Sequence, residues 1–273
     1  MTHQSSAASC PARLRLALAA CLLLAAGCRT TYTTLVQDRD TATQLAPFLY
    51  ILSGNYDGVT TVAQFKAAGN LGIGTFQGLD GEAVLLDGFV YQVKGDGSVV
   101  IPDDTTLMPF GTCTLFDDDI RQTVRNVASF EQFSAALENS FSDRQVFYAV
   151  KATGRFSTIR VRSCDKQEKP YPPLAEATRH QHEYTYSDLR GTLVGFWTPP
   201  FVPGAIGVPG FHLHFISDDR TRGGHVLDFR ADKLDVILDR TPRITIDFSL
   251  PINAPLVEKD IDRQVHESER KRD

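Results

Sequence analysis

Gly210-Phe211-His212-Leu213-His214-Phe215 alternates without a break, and after the polar loop Ser217 to Gly224 a second apolar run opens as His225-Val226-Leu227-Asp228-Phe229. On a strand, His212 and His214 share one face while Phe211, Leu213 and Phe215 share the other. Paired as an antiparallel hairpin, the two runs set His225 across from His212 and His214, where facing Cβ atoms are ~5 Å apart. Three imidazoles then converge on one point. Three neutral nitrogens around an open position describe a catalytic zinc site, because a structural site fills all four positions, usually with thiolates that this chain does not supply. Iron, manganese or nickel would accept the same ligands. A single His is ordinarily a packed or solvated side chain, and His180-Gln181-His182 shows the contrast. It has the same spacing but follows Ala175-Glu176-Ala177-Thr178, a polar and helical context in which residues two apart point away from each other, so it reads as surface. His266, in the charged tail, reads as solvated.

Outward from this hairpin the chain is mostly short β-rich runs between Gly and Asp turns. Glu82 to Leu86, Phe89 to Val93, Ser98 to Ile101, Thr112 to Phe116, Val146 to Val150 and Phe156 to Val161 precede it, with Lys94-Gly95-Asp96-Gly97 as a hairpin turn. Gly191 to Trp197, Leu234 to Leu238 and Ile244 to Phe248 continue the pattern. Two helices are expected, Thr61 to Ala68 and Phe130 to Phe141, the second with Ser129 as N-cap and Phe130, Phe133, Leu137 and Phe141 at helical spacing. Lys169-Pro170-Tyr171-Pro172-Pro173 can continue neither a helix nor a central strand and marks a domain boundary. The expected class is therefore α+β, with two β-rich domains, 47–168 with two helices and 169–257 carrying the metal hairpin, followed by a charged tail, 258–273. Gly72-Ile73-Gly74-Thr75-Phe76 lacks the spacing of a dinucleotide fingerprint and reads as a tight loop that lets backbone approach something closely.

The first residues are of another kind. Arg13 and Arg15 precede an apolar run from Leu16 to Ala26 that ends in Leu24-Ala25-Ala26-Gly27-Cys28, the order of a signal peptide. At roughly a dozen apolar residues the run is shorter than the ~20 that cross a bilayer as a helix. Its ending resembles a lipobox, which implies removal of residues 1–27, lipidation of Cys28, a polar tether over 28–46 and an exported, membrane-anchored protein. Plain signal cleavage is the alternative. The 273 residues carry 28 basic and 33 acidic side chains, and losing Arg13 and Arg15 shifts the formal charge from −5 to 26 − 33 = −7. With no cluster of Lys and Arg along the chain, a nucleic-acid partner is excluded and a small-molecule or protein partner is expected. Cys113 and Cys164 remain in the folded part, either as a disulfide or as two buried thiols.

Several segments together resemble the alpha-acetolactate decarboxylase family: Leu71-Gly72-Ile73-Gly74-Thr75-Phe76 running into Leu79-Asp80-Gly81-Glu82, Phe147-Tyr148-Ala149-Val150-Lys151, Lys169-Pro170-Tyr171, Gly191-Thr192-Leu193-Val194-Gly195-Phe196, and the His hairpin with Gly223-Gly224-His225-Val226. The resemblance implies zinc on His212, His214 and His225 and conversion of acetolactate to (R)-acetoin and carbon dioxide. It also implies Glu82, Arg162 and Glu267 as catalytic groups, with Glu269 as the alternative to Glu267, and Thr75 and Arg162 at the substrate. Arg162 would orient the departing carboxylate and a Glu would protonate the enediolate. A catalytic Glu in the tail requires residues 258–273 to fold back over the metal. The family further implies a homodimer joined through the N-terminal sheets. Two other readings start from the same histidines. One is a cupin-like metal-dependent oxygenase or isomerase, although Asp218 stands where a cupin has Glu. The other is a non-catalytic, ligand-binding surface lipoprotein.

Overall fold

Two large sheets and a small two-stranded pair carry the chain in the computed structural model, which describes residues 1, 38–58, 60–248, 252 and 255–269. The expected signal segment and Cys28 lie outside the described residues, and no described helix is long and apolar enough to cross a membrane. In chain order the elements begin with β1 (Thr41–Gln44), α1 (Phe48–Leu52), β2 (Thr60–Thr61), α2 (Val62–Ala68), β3 (Leu71–Thr75), β4 (Glu82–Leu86) and β5 (Phe89–Val93). They continue with β6 (Val99–Val100), β7 (Leu107–Met108), β8 (Phe110–Thr114), β9 (Ile120–Val127), α3 (Phe130–Glu138) and β10 (Phe147–Ser163). The last are α4 (Leu174–Ala177), β11 (His182–Thr198), β12 (Gly210–Ser217), β13 (Gly223–Thr241), β14 (Arg243–Ile246) and α5 (Ile261–Glu269).

The first sheet runs β14-β1-β8-β3-β4-β5-β6 and is mixed, since β1 pairs β14 in parallel and the other pairs are antiparallel. The second runs β10-β11-β12-β13-β9, and because β10 also pairs β13 along its length, β10 to β13 close on themselves. The inward positions of this closed sheet, among them Tyr148, Val150, Leu213, Phe215, Phe229, Leu234 and Leu238, form one apolar core that also takes Phe133 and Leu137 of α3. Ser129 caps α3, its hydroxyl accepting from the Gln132 N–H, and Thr61 and Gln64 form a capping box on α2. These are the helices the spacing predicts, although α3 stops at Glu138 and leaves Phe141 stacked on Tyr148 at 4.3 Å.

The α+β class with mixed and antiparallel sheets is as expected. The Pro-rich turn at Lys169, however, does not separate the sheets. β9 and β10 precede it and belong to the second sheet, while β14 follows it and joins the first. The physical reason is that a Pro-rich turn interrupts hydrogen bonding locally, whereas sheet membership is decided by distant pairing. The runs Val146 to Val150 and Phe156 to Val161 are one 17-residue strand, and the runs at His225 and Leu234 are one 19-residue strand, because β10 and β13 pair with each other throughout. The segment Leu71–Thr75 is a central, fully buried strand rather than a loop. Its glycines do serve close approach, since a Cβ on Gly74 would sit 2.5 Å from the Phe110 carbonyl of neighbouring β8. Cys113 and Cys164 are separate buried thiols.

Candidate active site

Strict alternation on β12 turns His212 and His214 away from the core that Phe211, Leu213 and Phe215 enter. In the β12–β13 pairing His214 faces His225, and in the β10–β13 pairing Arg162 faces His225. The expected hairpin therefore forms, and the three ring centroids lie 5.0 to 5.4 Å apart. Gly224 is needed here. Its φ is +139°, and a Cβ would meet the Arg162 carbonyl at 2.6 Å.

Each ring is oriented by its neighbours. His214 Nδ1 lies 2.9 Å from the Ala83 carbonyl, which can only accept, so the proton is on Nδ1 and the Nε2 lone pair is free. That Nε2 is buried without a hydrogen-bond partner. His225 Nε2 lies 3.1 Å from the Glu269 backbone carbonyl, which by the same reasoning leaves its Nδ1 lone pair facing inward. Burial first, then the nearby charges of His212 and Arg162, hold both His214 and His225 well below the usual imidazole range, so both rings are neutral. One ligand atom from each of the three rings falls within 4.8 Å of the other two. An orphaned, buried lone pair among neutral imidazoles is what a bound metal would satisfy, and a carbonyl on the far nitrogen is the usual support for a metal-ligating His.

Two carboxylates and a guanidinium complete the site. Arg162 is buried, with Nη1 3.3 Å from Glu82 Oε1, and Nη2 3.0 Å from the Ser268 carbonyl and 3.3 Å from Glu269 Oε1. Burial alone would lower its pKa, but the carboxylates of Glu269 and Glu82 outweigh that and raise it, so Arg162 stays charged. Its Nε is a buried donor without a partner. Burial pushes the Glu82 carboxyl up to about 7 against the pull of Arg162, with Glu269 adding repulsion. Glu82 Oε2 lies 3.5 Å from His214 Nε2, and Glu269 Oε2 lies 3.3 Å from His212 Nε2 and 3.7 Å from His225 Nδ1. Thr75 pairs with Glu82 across β3 and β4 and donates its hydroxyl to the Gly81 carbonyl at 2.7 Å. Gly81 has φ +79°, and a Cβ there would lie 2.1 Å from the Val93 carbonyl, so Thr75 secures a turn that only glycine can make and that aims Glu82 inward.

The tail is where the sequence expectation needs correction. Residues 261–269 form the helix α5, with Val265, Ser268 and Glu269 on its buried face. Glu267 projects from the other face, half-exposed, in an i,i+4 ion pair with Arg263 at 3.0 Å. The structure thus brings Glu269 to the histidines and leaves Glu267 outside. The physical cause is the helical period, since Ile261, Val265 and Glu269 recur every fourth residue and position 267 falls off that stripe. The final carbonyls of α5, which have no partner within a helix, accept instead from Arg162 and His225. His180 and His182 are exposed, and His182 pairs with Asp165 at 2.8 Å.

The apolar wall was not legible in the sequence. Phe48 and Ile51 of α1, Phe110 of β8, Leu79 and Leu174 line the cavity with the polar residues, and Phe48 meets the His212 ring edge-on at 6.4 Å. A hint was available in the apolar run Phe48-Leu49-Tyr50-Ile51-Leu52, which was too short to read as a helix. The free volume is about 30 Å³, room for about one water. Glu269 lines both this cavity and an outer groove between α3 and the β12–β13 edge.

Three clustered imidazoles, those of His214 and His225 buried and neutral, with two carboxylates and a charged guanidinium on closed β-structure, define an enzyme site of the lyase or hydrolase kind that could hold a metal ion. The comparisons with known proteins resolve which. The family model for alpha-acetolactate decarboxylase matches residues 43–262. An alpha-acetolactate decarboxylase of Methanosarcina mazei is 42% identical over 202 residues, 74% of this chain and 70% of that protein. That of Brevibacillus brevis is 36% identical over 226 residues, 81% of this chain and 78% of that one. The crystal structure of alpha-acetolactate decarboxylase from Bacillus subtilis strain 168 superposes with a TM-score of 0.81 at 31% identity, covering 85% of this chain and all of that one. The chain belongs to the alpha-acetolactate decarboxylase family, a family of carboxy-lyases. Membership sets aside the cupin-like and non-catalytic readings.

Proposed function

We propose that this protein decarboxylates acetolactate, 2-hydroxy-2-methyl-3-oxobutanoate, to (R)-acetoin and carbon dioxide, with zinc held by His212, His214 and His225. The observation that carries the reading is the convergence of Arg162, Glu82, Glu269 and the three histidines on one buried cavity. Losing carbon dioxide breaks the bond from the carboxylate carbon to C2, and the electron pair passes to the adjacent ketone oxygen, giving an enediolate. Zinc would supply the Lewis acidity that draws this pair toward oxygen, worth several kcal/mol. Arg162 binds the carboxylate through paired hydrogen bonds, its unpartnered Nε among the donors. Glu82, with a pKa of about 7, carries a proton in an appreciable fraction of molecules at neutral pH, and Glu269 stands against His212 and His225. Either carboxyl delivers the proton to C2 on one face, which sets the handedness. Since the cavity holds about one water, substrate enters as the Glu269 carboxylate moves aside toward the outer groove. The deciding experiment incubates the purified protein with racemic acetolactate and scores acetoin, carbon dioxide and bound metal. Zinc-loaded protein that makes no acetoin would refute the reading.

Arg162→Lys should retain metal and fold yet lose most turnover, because Lys keeps the charge but lacks the planar fork that grips a carboxylate at two points. Steady-state kinetics with near-normal turnover would show that Arg162 does not hold the carboxylate.

The same proposal includes export with a lipid anchor on Cys28 and a homodimer through the first sheet. Phe89 on β5 and Ile101 just past the edge strand β6, 62% and 74% exposed, support the dimer. Sedimentation of a strict monomer, or acyl labelling that persists in Cys28→Ala, would count against these two parts respectively.

A further inference from the structure

Away from the histidines, the link between the two sheets carries Phe116-Asp117-Asp118-Asp119, leading from β8 into β9. Carboxylate oxygens of Asp117, Asp119 and Asp239 lie within 4.8 Å of one another. Asp239 is on β13 with 0% exposure, facing away from the core that Leu238 lines. Its Oδ2 accepts the Asp117 N–H at 3.4 Å, while its Oδ1 is buried with no partner. Two residues on, and so on the same face of the strand, the Thr241 hydroxyl is also fully buried and without a partner. Asp119 accepts from the Arg240 N–H at 2.9 Å, which holds the linking segment against β13. Arg39, with an exposed guanidinium, lies 3.7 Å from Asp117.

A buried carboxylate oxygen with no donor is costly, and the Thr241 hydroxyl on the same strand face is a further polar group without a partner. The ionised Asp239 carboxylate can only accept, so its orphaned oxygen is not satisfied by another acceptor but is satisfied by a cation. We propose that Asp117, Asp119 and Asp239 form a calcium site that fastens the β8–β9 link to the closed sheet. The donors are all hard oxygens, which suit calcium or magnesium rather than zinc. Calcium is favoured because it accepts irregular shells at about 2.3–2.6 Å and mono- or bidentate carboxylates, whereas magnesium demands a near-ideal octahedron at about 2.0–2.1 Å. Here the donors come from one short segment and one strand, an irregular set. The site would be structural, and the histidine site would keep its own metal.

The test uses the full protein, dialysed free of loosely held ions and then titrated with calcium chloride alone. Equilibrium dialysis should find one calcium per chain, and thermal unfolding should shift upward by about 5 °C at saturating calcium, with a smaller shift for magnesium chloride. Asp239→Asn should lose both the binding and the shift. Asp119→Asn, at an exposed position where folding is not in question, should lose most of the binding, and in both variants the zinc content should stay at its wild-type level. Absence of bound calcium at millimolar concentration would overturn the proposal and leave a protonated Asp239 as the account of its burial. Equal shifts with magnesium, or undiminished calcium binding in Asp119→Asn, would also overturn it.

Discussion

His214→Ala is expected to lose bound metal and acetolactate decarboxylation together, with turnover falling about a thousandfold or more. That magnitude follows if the metal's Lewis acidity is worth about 4 kcal/mol, since each 1.36 kcal/mol is tenfold in rate. His214 is the sharpest choice of the three. Its ring is buried, its Nδ1 is fixed on the Ala83 carbonyl, and its Nε2 is the orphaned atom. Removing it leaves His212 and His225, a two-point chelate, and His212→Ala and His225→Ala should behave alike for the same reason. His182→Ala should leave metal and turnover within a factor of about two, because that ring is exposed and the cost of losing one surface pair is small. Metal analysis by mass spectrometry with acetoin quantified on the same samples checks both halves. A normal metal content in His214→Ala, or metal loss in His182→Ala, would move the site elsewhere.

The histidines were legible because a period-two pattern leaves one solution for which side chains share a face, and a short loop leaves one for which strand they meet. Arg162 and Glu82 were not legible from pattern alone. Arg162 lies at a pairing decided by β10 and β13, which are some 60 residues apart in the chain and shift register between Arg160 and Val161. Glu82 depends on a turn at Gly81 that Thr75 secures from another strand. For both, family resemblance did what spacing could not. Boundaries fared similarly. β3 was missed because glycine is a poor strand former, and here its lack of a side chain is what lets β8 approach. The Pro-rich turn misled because it marks where local hydrogen bonding stops and says nothing of which distant strand comes next.

Glu269→Gln is expected to cost about a hundredfold or more in acetoin formation while leaving the melting temperature nearly unchanged. The amide occupies the same space, and the backbone carbonyls of Ser268 and Glu269 continue to accept from Arg162 and His225, so α5 stays docked. What is lost is the carboxylate beside His212, His225 and Arg162, and with it a proton carrier. Glu267→Gln is the matched control. It loses an exposed i,i+4 pair with Arg263, worth about 0.3–0.5 kcal/mol, and should retain full turnover. Deleting α5 outright would confuse the test, because Val265 packs with Ile51 and Leu174, and removing it costs on the order of 2 kcal/mol of buried apolar surface. Glu82→Gln completes the series. If Glu269 is the donor, Glu269→Gln slows protonation and lets water compete, so the residual acetoin becomes racemic while Glu82→Gln preserves handedness; if Glu82 is the donor the two outcomes exchange. Chiral chromatography of the product reads this directly. Full turnover with unchanged handedness in Glu269→Gln would exclude the tail carboxylate from the chemistry and reduce α5 to a cover that keeps Arg162 and the histidines dry.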